Sequence, residues 1–274
     1  MKRRAASALR NLALGVVLAA ILLPFYWSLV ASVTPEARLF EGLPAFPLEP
    51  VLDHYRALVT ERAFWLPVRN SIVVAVSTTA LCLLLGSLCA YALARLRFPG
   101  RTSLLAFVLA VSMFPQIAIV SPLFLLLRAL GLINTYPGLV FPYVTFAMPL
   151  TIWLLVGFFR QLPKELEEAA WVDGAGRLRT FVEVVVPLSA PALAATAILT
   201  FVYCWNEFLF ALSFTLGPER QTVPVAIALF RGQYQVPWGQ VLAAAVVSTT
   251  PVALLVLVFQ RRIVQGLTSG AVKG

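Results

Sequence analysis

Six long apolar runs, separated by short polar or proline-punctuated connections, dominate this chain. They fall at 12–33, 71–94, 103–127, 138–159, 190–212 and 241–259. At about 1.5 Å of rise per residue each is long enough, as a helix, to cross the hydrocarbon core of a bilayer. The pattern predicts an all-α, polytopic membrane protein with six transmembrane helices in a single domain, 1–274. Polar residues are spread unevenly, and the most polar stretch, 160–189, lies between the fourth and fifth runs. Within it Pro163 suits the first turn of a helix, and Glu165, Glu167 and Glu168 sit where the positive end of the helix dipole favours anions. A short helix is expected over 163–172, ended by a left-handed or extended turn at Gly174 and Gly176, with a second short helix over 177–184. Ala169 and Ala170 leave one side of the first helix low and smooth. Another protein's surface can approach closely there, so the stretch reads as a docking knob.

Composition strengthens the membrane reading. Of 274 residues 60% are hydrophobic and 12% charged, with a mean hydropathy of +0.88; soluble domains carry about 25% charge. The net charge of +9 does not gather in one stripe, which speaks against nucleic acid and for orientation in a bilayer. Met1-Lys-Arg-Arg before the first run resembles the start of a signal peptide. That run exceeds an h-region of about 7–15 residues, so a retained helix is expected.

Placing the amino terminus in the cytoplasm puts Lys2, Arg3, Arg4, Arg10, Arg95, Arg97, Arg101, Arg160, Lys164, Arg177, Arg179, Arg261, Arg262 and Lys273 inside. Outside remain Arg38, Arg56, Arg62, Arg69, Arg128, Arg220 and Arg231. This asymmetry predicts cytoplasmic termini and a cytoplasmic island. The segment 34–70 is rich in Pro and aromatics, with an amphipathic pattern over 52–66, and suits the membrane surface or a neighbour. The segment 213–240 reads as an external cap or partial re-entry. No connection exceeds about forty residues, too short for a self-standing catalytic domain.

The island also carries a resemblance. Glu168-Ala169-Ala170, three residues, Gly174, nine residues and Val184-x-Val186-Pro187 resemble the EAA loop of ABC importer permeases, EAA-x3-G-x9-I-x-L-P. Val184 and Val186 stand where that family usually has Ile and Leu. Further stretches, AYALARLRFPG at 90–100, Pro122-Leu123-Phe124, LGLINT at 130–135, Trp205-Asn206-Glu207-Phe208 and the tail QRRIVQGLTSGAVKG at 260–274, are similar to the maltose-type sugar importers. The resemblance implies coupling helices, carrying Glu168, Ala169, Ala170, Asp173, Gly174 and Pro187, that rest in a cleft of an ATP-binding subunit. It also implies that Gly266, Leu267, Gly270 and Lys273 in the tail touch the ATPases. The partners it implies are a second homologous permease, two ATP-binding subunits, an extracellular sugar-binding protein and the lipid of a bacterial inner membrane. The implied cargo is a carbohydrate such as maltose, trehalose or a related oligosaccharide, with glycerol phosphate as an outlier.

Candidate chemistry is sparse. Glu207 is the one acid within a predicted span, and an ionisable residue there lines a polar path or bonds a neighbouring helix. With Asn206, Trp205, Tyr203 and Gln116 it forms the candidate sugar path, since ring faces stack on sugar C–H surfaces while amides and carboxylates bond hydroxyls. Asn134 joins at lower weight. Pro115, Pro122, Pro142, Pro149, Pro191 and Pro251 interrupt apolar runs and are candidate kinks. His54, the sole histidine, is expected at the surface. Cys82, Cys89 and Cys204 lie in apolar runs without CxxC spacing, so neither metal nor disulfide is indicated. No GxxxxGK(S/T), HExxH or GxSxG occurs, so no catalytic residue is expected. ATP and Mg would be used by a separate subunit, with no cofactor on this chain. An ion-coupled secondary transporter is the alternative; it calls for inverted repeats and mid-membrane charges, of which only off-centre Glu207 is present.

Overall fold

The computed structural model describes residues 2–41, 46–47, 49–230 and 236–268, and among these every regular element is helical. Four helices are long and apolar enough to span a bilayer: α1 (Lys2–Ser32), α3 (Trp65–Arg95), α6 (Tyr136–Phe159) and α13 (Trp238–Thr268). These match the predicted runs at 12–33, 71–94, 138–159 and 241–259, extended at their ends. The other two predicted spans are not single helices. The third divides into α4 (Arg101–Ser112) and α5 (Gln116–Ala129), bent by 90°. Pro115 explains the break, because it lacks the N–H an α-helix needs and turns the preceding residue out of the helical region. The fifth holds α10 (Ala190–Trp205), which ends before Asn206; α11 (Leu209–Phe214) follows only after a non-helical step. The spans thus number four, or six if each bent pair counts as one. Pro122, Pro142, Pro149 and Pro251, expected as kinks, sit inside continuous helices.

The chain forms two compact units. The first comprises residues 1–65 and 227–250. It holds most of α1, a single 3-10 turn at Glu36–Phe40 and α2 (Asp53–Thr60). The Glu36 carboxylate accepts from the backbone N–H groups of Trp238 (2.9 Å) and Gly239 (2.8 Å), capping the start of α13. His54 is buried here rather than at the surface, its Nε2 2.9 Å from the carbonyl of Thr34. Its ring fills the space a side chain on Gly239 would take, so a glycine far along the sequence makes room for it.

The second unit comprises residues 66–226 and 251–274. Its centre is the packing of α3 and α6 with α10. Gly86 permits this approach, since a Cβ there would lie 2.9 Å from Thr151 Cγ2. Thr151 in turn shares a buried 3.0 Å hydrogen bond with Thr200 of α10. Small residues and hydroxyl pairs are how helices approach in lipid, where apolar burial alone gives no drive. Gly86→Val is therefore expected to cost about 1–3 kcal/mol through overpacking, read as a lower melting temperature in detergent. At one end of the unit Asn70 donates to the carbonyls of Glu219 (2.9 Å) and Gln221 (3.0 Å) and accepts from Tyr136 (2.7 Å). Asn134, at φ 61°, donates to the Glu219 carboxylate at 2.7 Å and holds its pKa below the usual glutamate value. Both asparagines organise this cap, which continues into α12 (Val223–Ala228).

Candidate coupling site and transport cavity

The island folds as α7 (Glu165–Val172), α8 (Arg177–Thr180), one π-helical turn (Phe181–Val185) and α9 (Val186–Leu188). Three acids occupy the first turn of α7, as the helix dipole favours. Its end is a Schellman motif: Gly174, at φ 84°, donates to the Trp171 carbonyl (3.0 Å) and Ala175 to that of Ala170 (2.9 Å). A left-handed residue is needed there, and glycine supplies it without Cβ strain. Gly176 takes the extended conformation that starts α8.

What holds the knob to the body lies behind it. Glu167, adjacent to the EAA glutamate, is buried, and its carboxylate pairs with Arg95 Nε of α3 at 2.6 Å. Tyr91 donates to the same carboxylate (2.9 Å), and Arg95 Nη2 donates to the Leu162 carbonyl at 2.7 Å. The two charged side chains are 5% and 4% exposed, so this is an ion pair sealed from water. Beside it an apolar core joins Leu93 of α3, Leu155 and Phe159 of α6, and Phe181 and Val185 of the π turn. Phe181 packs against Tyr91 (5.0 Å between ring centres) and edge-on against Phe159 (6.4 Å). The outward side is the opposite. Glu168, Ala169, Asp173 and Pro187 are exposed, Ala170 half-buried, and Leu166, Trp171, Val172 and Leu178 form an exposed apolar rim. A small-faced helix ringed by uncovered apolar side chains, bolted to two spans, presents a surface for another protein.

The second feature is a cavity of about 260 Å³ lined by Ser112, Gln116, Phe146, Leu150, Trp153 and Tyr203, with Leu109 on its wall. Gln116 Nε2 donates to the Tyr203 hydroxyl at 2.8 Å. The 90° break places Ser112 and Gln116 here, one at each side of Pro115. An indole, a phenol, an amide and a hydroxyl around a small void offer stacking and hydrogen bonding together, the combination a sugar ring uses.

Of the five residues expected along a sugar path, then, Gln116 and Tyr203 meet in this cavity. Trp205 is buried and stacks on Phe201 at 5.7 Å, and Asn206 bonds back to the Val202 carbonyl. Glu207 is buried and accepts from the backbone N–H groups of Phe210 (2.7 Å) and Ala211 (3.1 Å), capping α11. That is the structural hydrogen bonding left open from the sequence. Gly266 and Leu267 lie in the last turns of α13, and Gly270 and Lys273 fall outside the described residues. Arg95 and Glu167 were not anticipated as a pair, nor were Trp153 and Ser112 as lining.

Residues 82–269 match the family model described as "Binding-protein-dependent transport system inner membrane component". The chain belongs to this family. The permease is 46% identical over 268 residues to the trehalose/maltose transport system permease protein MalG of Thermococcus litoralis, covering 96% of each chain. To the trehalose transport system permease protein SugB of Mycobacterium tuberculosis it is 46% identical over 255 residues, covering 92% of this chain and 93% of that one. Among solved structures it is similar in fold, with a TM-score of 0.79 and 24% identity over 95% of this permease and 97% of that chain, to one in the crystal structure of a bacterial ABC transporter importing alginate. The island and its anchors, Arg95 and Glu167, lie within the matched residues, so the permease carries its docking knob inside the family's common core.

Proposed function

We propose that this permease is one of two transmembrane subunits of an ATP-driven importer in a bacterial inner membrane, carrying maltose, trehalose or a related oligosaccharide. The observation that carries this reading is the knob: Glu168 and Ala169 exposed on α7, with Glu167 locked to Arg95 behind them. An outward face for a motor and a rigid attachment to the spans are the two things a coupling element requires. Two ATP-binding subunits would grip α7 and touch the tail, and all ATP and Mg would be theirs; this chain would be no enzyme and hold no cofactor. The whole chain would act as one permease domain. Both termini and the island would face the cytoplasm, as the distribution of Lys and Arg supports. An extracellular binding protein would deliver the sugar, and a homologous permease would complete the path.

The sugar would pass the cavity at Gln116 and Tyr203, with Trp153 as its stacking face; Glu207, Asn206 and Trp205 would shape the path from the adjoining break. The test is reconstitution of the complete set in vesicles. Uphill uptake of trehalose or maltose should need both ATP and the binding protein. Uptake driven by an ion gradient without ATP would instead establish the secondary-transporter reading. In the same assay Trp153→Ala and Tyr203→Phe should each raise KM roughly tenfold or less, the worth of one stacking contact or one hydrogen bond. Unchanged KM in both variants would remove the cavity from the path.

A further inference from the structure

Beside the knob, at the same end of α3, is an open cleft of about 870 Å³ lined by Arg95, Arg97, Arg101, Arg160 and Lys164, and by no acidic side chain. Arg95 is neutralised by Glu167. Among the described residues Arg97, Arg160 and Lys164 have no acidic partner, and Arg101 reaches only the Leu96 carbonyl at 3.4 Å. Four uncompensated cations around one hollow repel one another, and an anion seated among them relieves that repulsion.

The rest of the cleft suits a phosphate. Gly100, at φ 80°, turns the chain into α4, whose start has no side-chain cap and no acid in its first turn. The hydroxyls of Thr102 and Ser103 stand on the same wall. From there α4 continues with no buried residue, showing Leu104 and Phe107 (67% exposed) outward. A cationic cleft that opens directly onto an uncovered apolar helix fits a molecule with a phosphate at one end and hydrocarbon at the other. We infer that this cleft binds the headgroup of an acidic phospholipid, with an acyl chain along α4. Basic clusters at a span's end attract such lipids at the membrane surface. Lys164 immediately precedes α7, so the bound lipid would sit against the hinge of the knob and stiffen it.

The inference is independent of which solute is carried, and its test does not use uptake. The full-length protein is placed in phosphatidylcholine vesicles, and its association with spin-labelled phosphatidylglycerol is compared with that of spin-labelled phosphatidylcholine by electron paramagnetic resonance. The native protein should prefer phosphatidylglycerol, and the preference should fall as salt is raised. Arg97→Gln, Arg160→Gln and Lys164→Gln together should abolish it, at up to roughly fivefold per cation. Arg97→Lys with Arg160→Lys should keep it, and Arg177→Gln with Arg179→Gln, outside the cleft, should leave it unchanged. An undiminished preference in the triple variant overturns the proposal. If that variant does not fold, a native preference insensitive to salt overturns it equally. Displacement of the labelled lipid by inorganic phosphate would assign the cleft to a soluble anion. Displacement by added ATP-binding subunits would assign it to a protein interface, and either result overturns the lipid.

Discussion

Arg95→Met is expected to loosen the whole coupling end of the protein. The substitution leaves the Glu167 carboxylate buried with one neutral donor, Tyr91, and no cation. Breaking a buried pair by removing one partner costs about 3–5 kcal/mol, because the surviving charge stays desolvated. It also frees the Leu162 carbonyl, which Arg95 holds at 2.7 Å. The melting temperature should fall by on the order of 10 °C. Replacing both partners, Arg95→Met with Glu167→Leu, should restore most of that stability, since a well-packed apolar pair in place of a buried ion pair is often neutral or better. The two variants separate stability from coupling. If the pair acts as a strut, the double variant folds and transports poorly, because nothing directional joins α7 to α3. Equal melting temperatures for the native protein and Arg95→Met would show that the pair contributes nothing to stability.

Glu168→Lys should reduce uptake at least tenfold while the protein still reaches the membrane, because it reverses the charge on the outward face of α7 without touching the packed side. Gly174→Pro should act through geometry. Proline fixes φ near −65°, against the 84° found here, and removes the N–H that closes the Schellman motif. The helix then loses its defined end, and with it the fixed angle between α7 and α8. For both variants hydrolysis by the ATP-binding subunits should continue while sugar accumulation drops. Normal accumulation in both would remove the coupling role from the island.

Much of this architecture was legible because its causes are local. Apolar run length marks a span, three acids mark a helix start, and a glycine nine residues beyond Glu165 marks where that helix ends. The divided spans were harder to read. Pro115 breaks its helix, whereas Pro142 and Pro149 sit buried inside an unbroken α6; whether the freed carbonyls find other partners depends on neighbours that sequence position does not reveal. His54 shows the same limit, its burial depending on Gly239. Likewise the Arg95–Glu167 pair joins residues on different helices, and no spacing rule brings them together. The cavity was half visible: Gln116 and Tyr203 stood out as polar residues in apolar runs, whereas Trp153 looked like one more apolar residue of its span.

One turn of the island has a consequence for how the molecule can change over time. In the stretch Phe181–Val185 the Val186 N–H reaches back five residues, to Phe181, rather than four. Such a turn carries one residue more than regular winding needs. Removing that residue would let the stretch relax into ordinary winding and would rotate everything after it by about 100°. The angular phase between knob and cavity thus hangs on a single insertion, which makes the length of this segment less free to drift than the identity of its side chains.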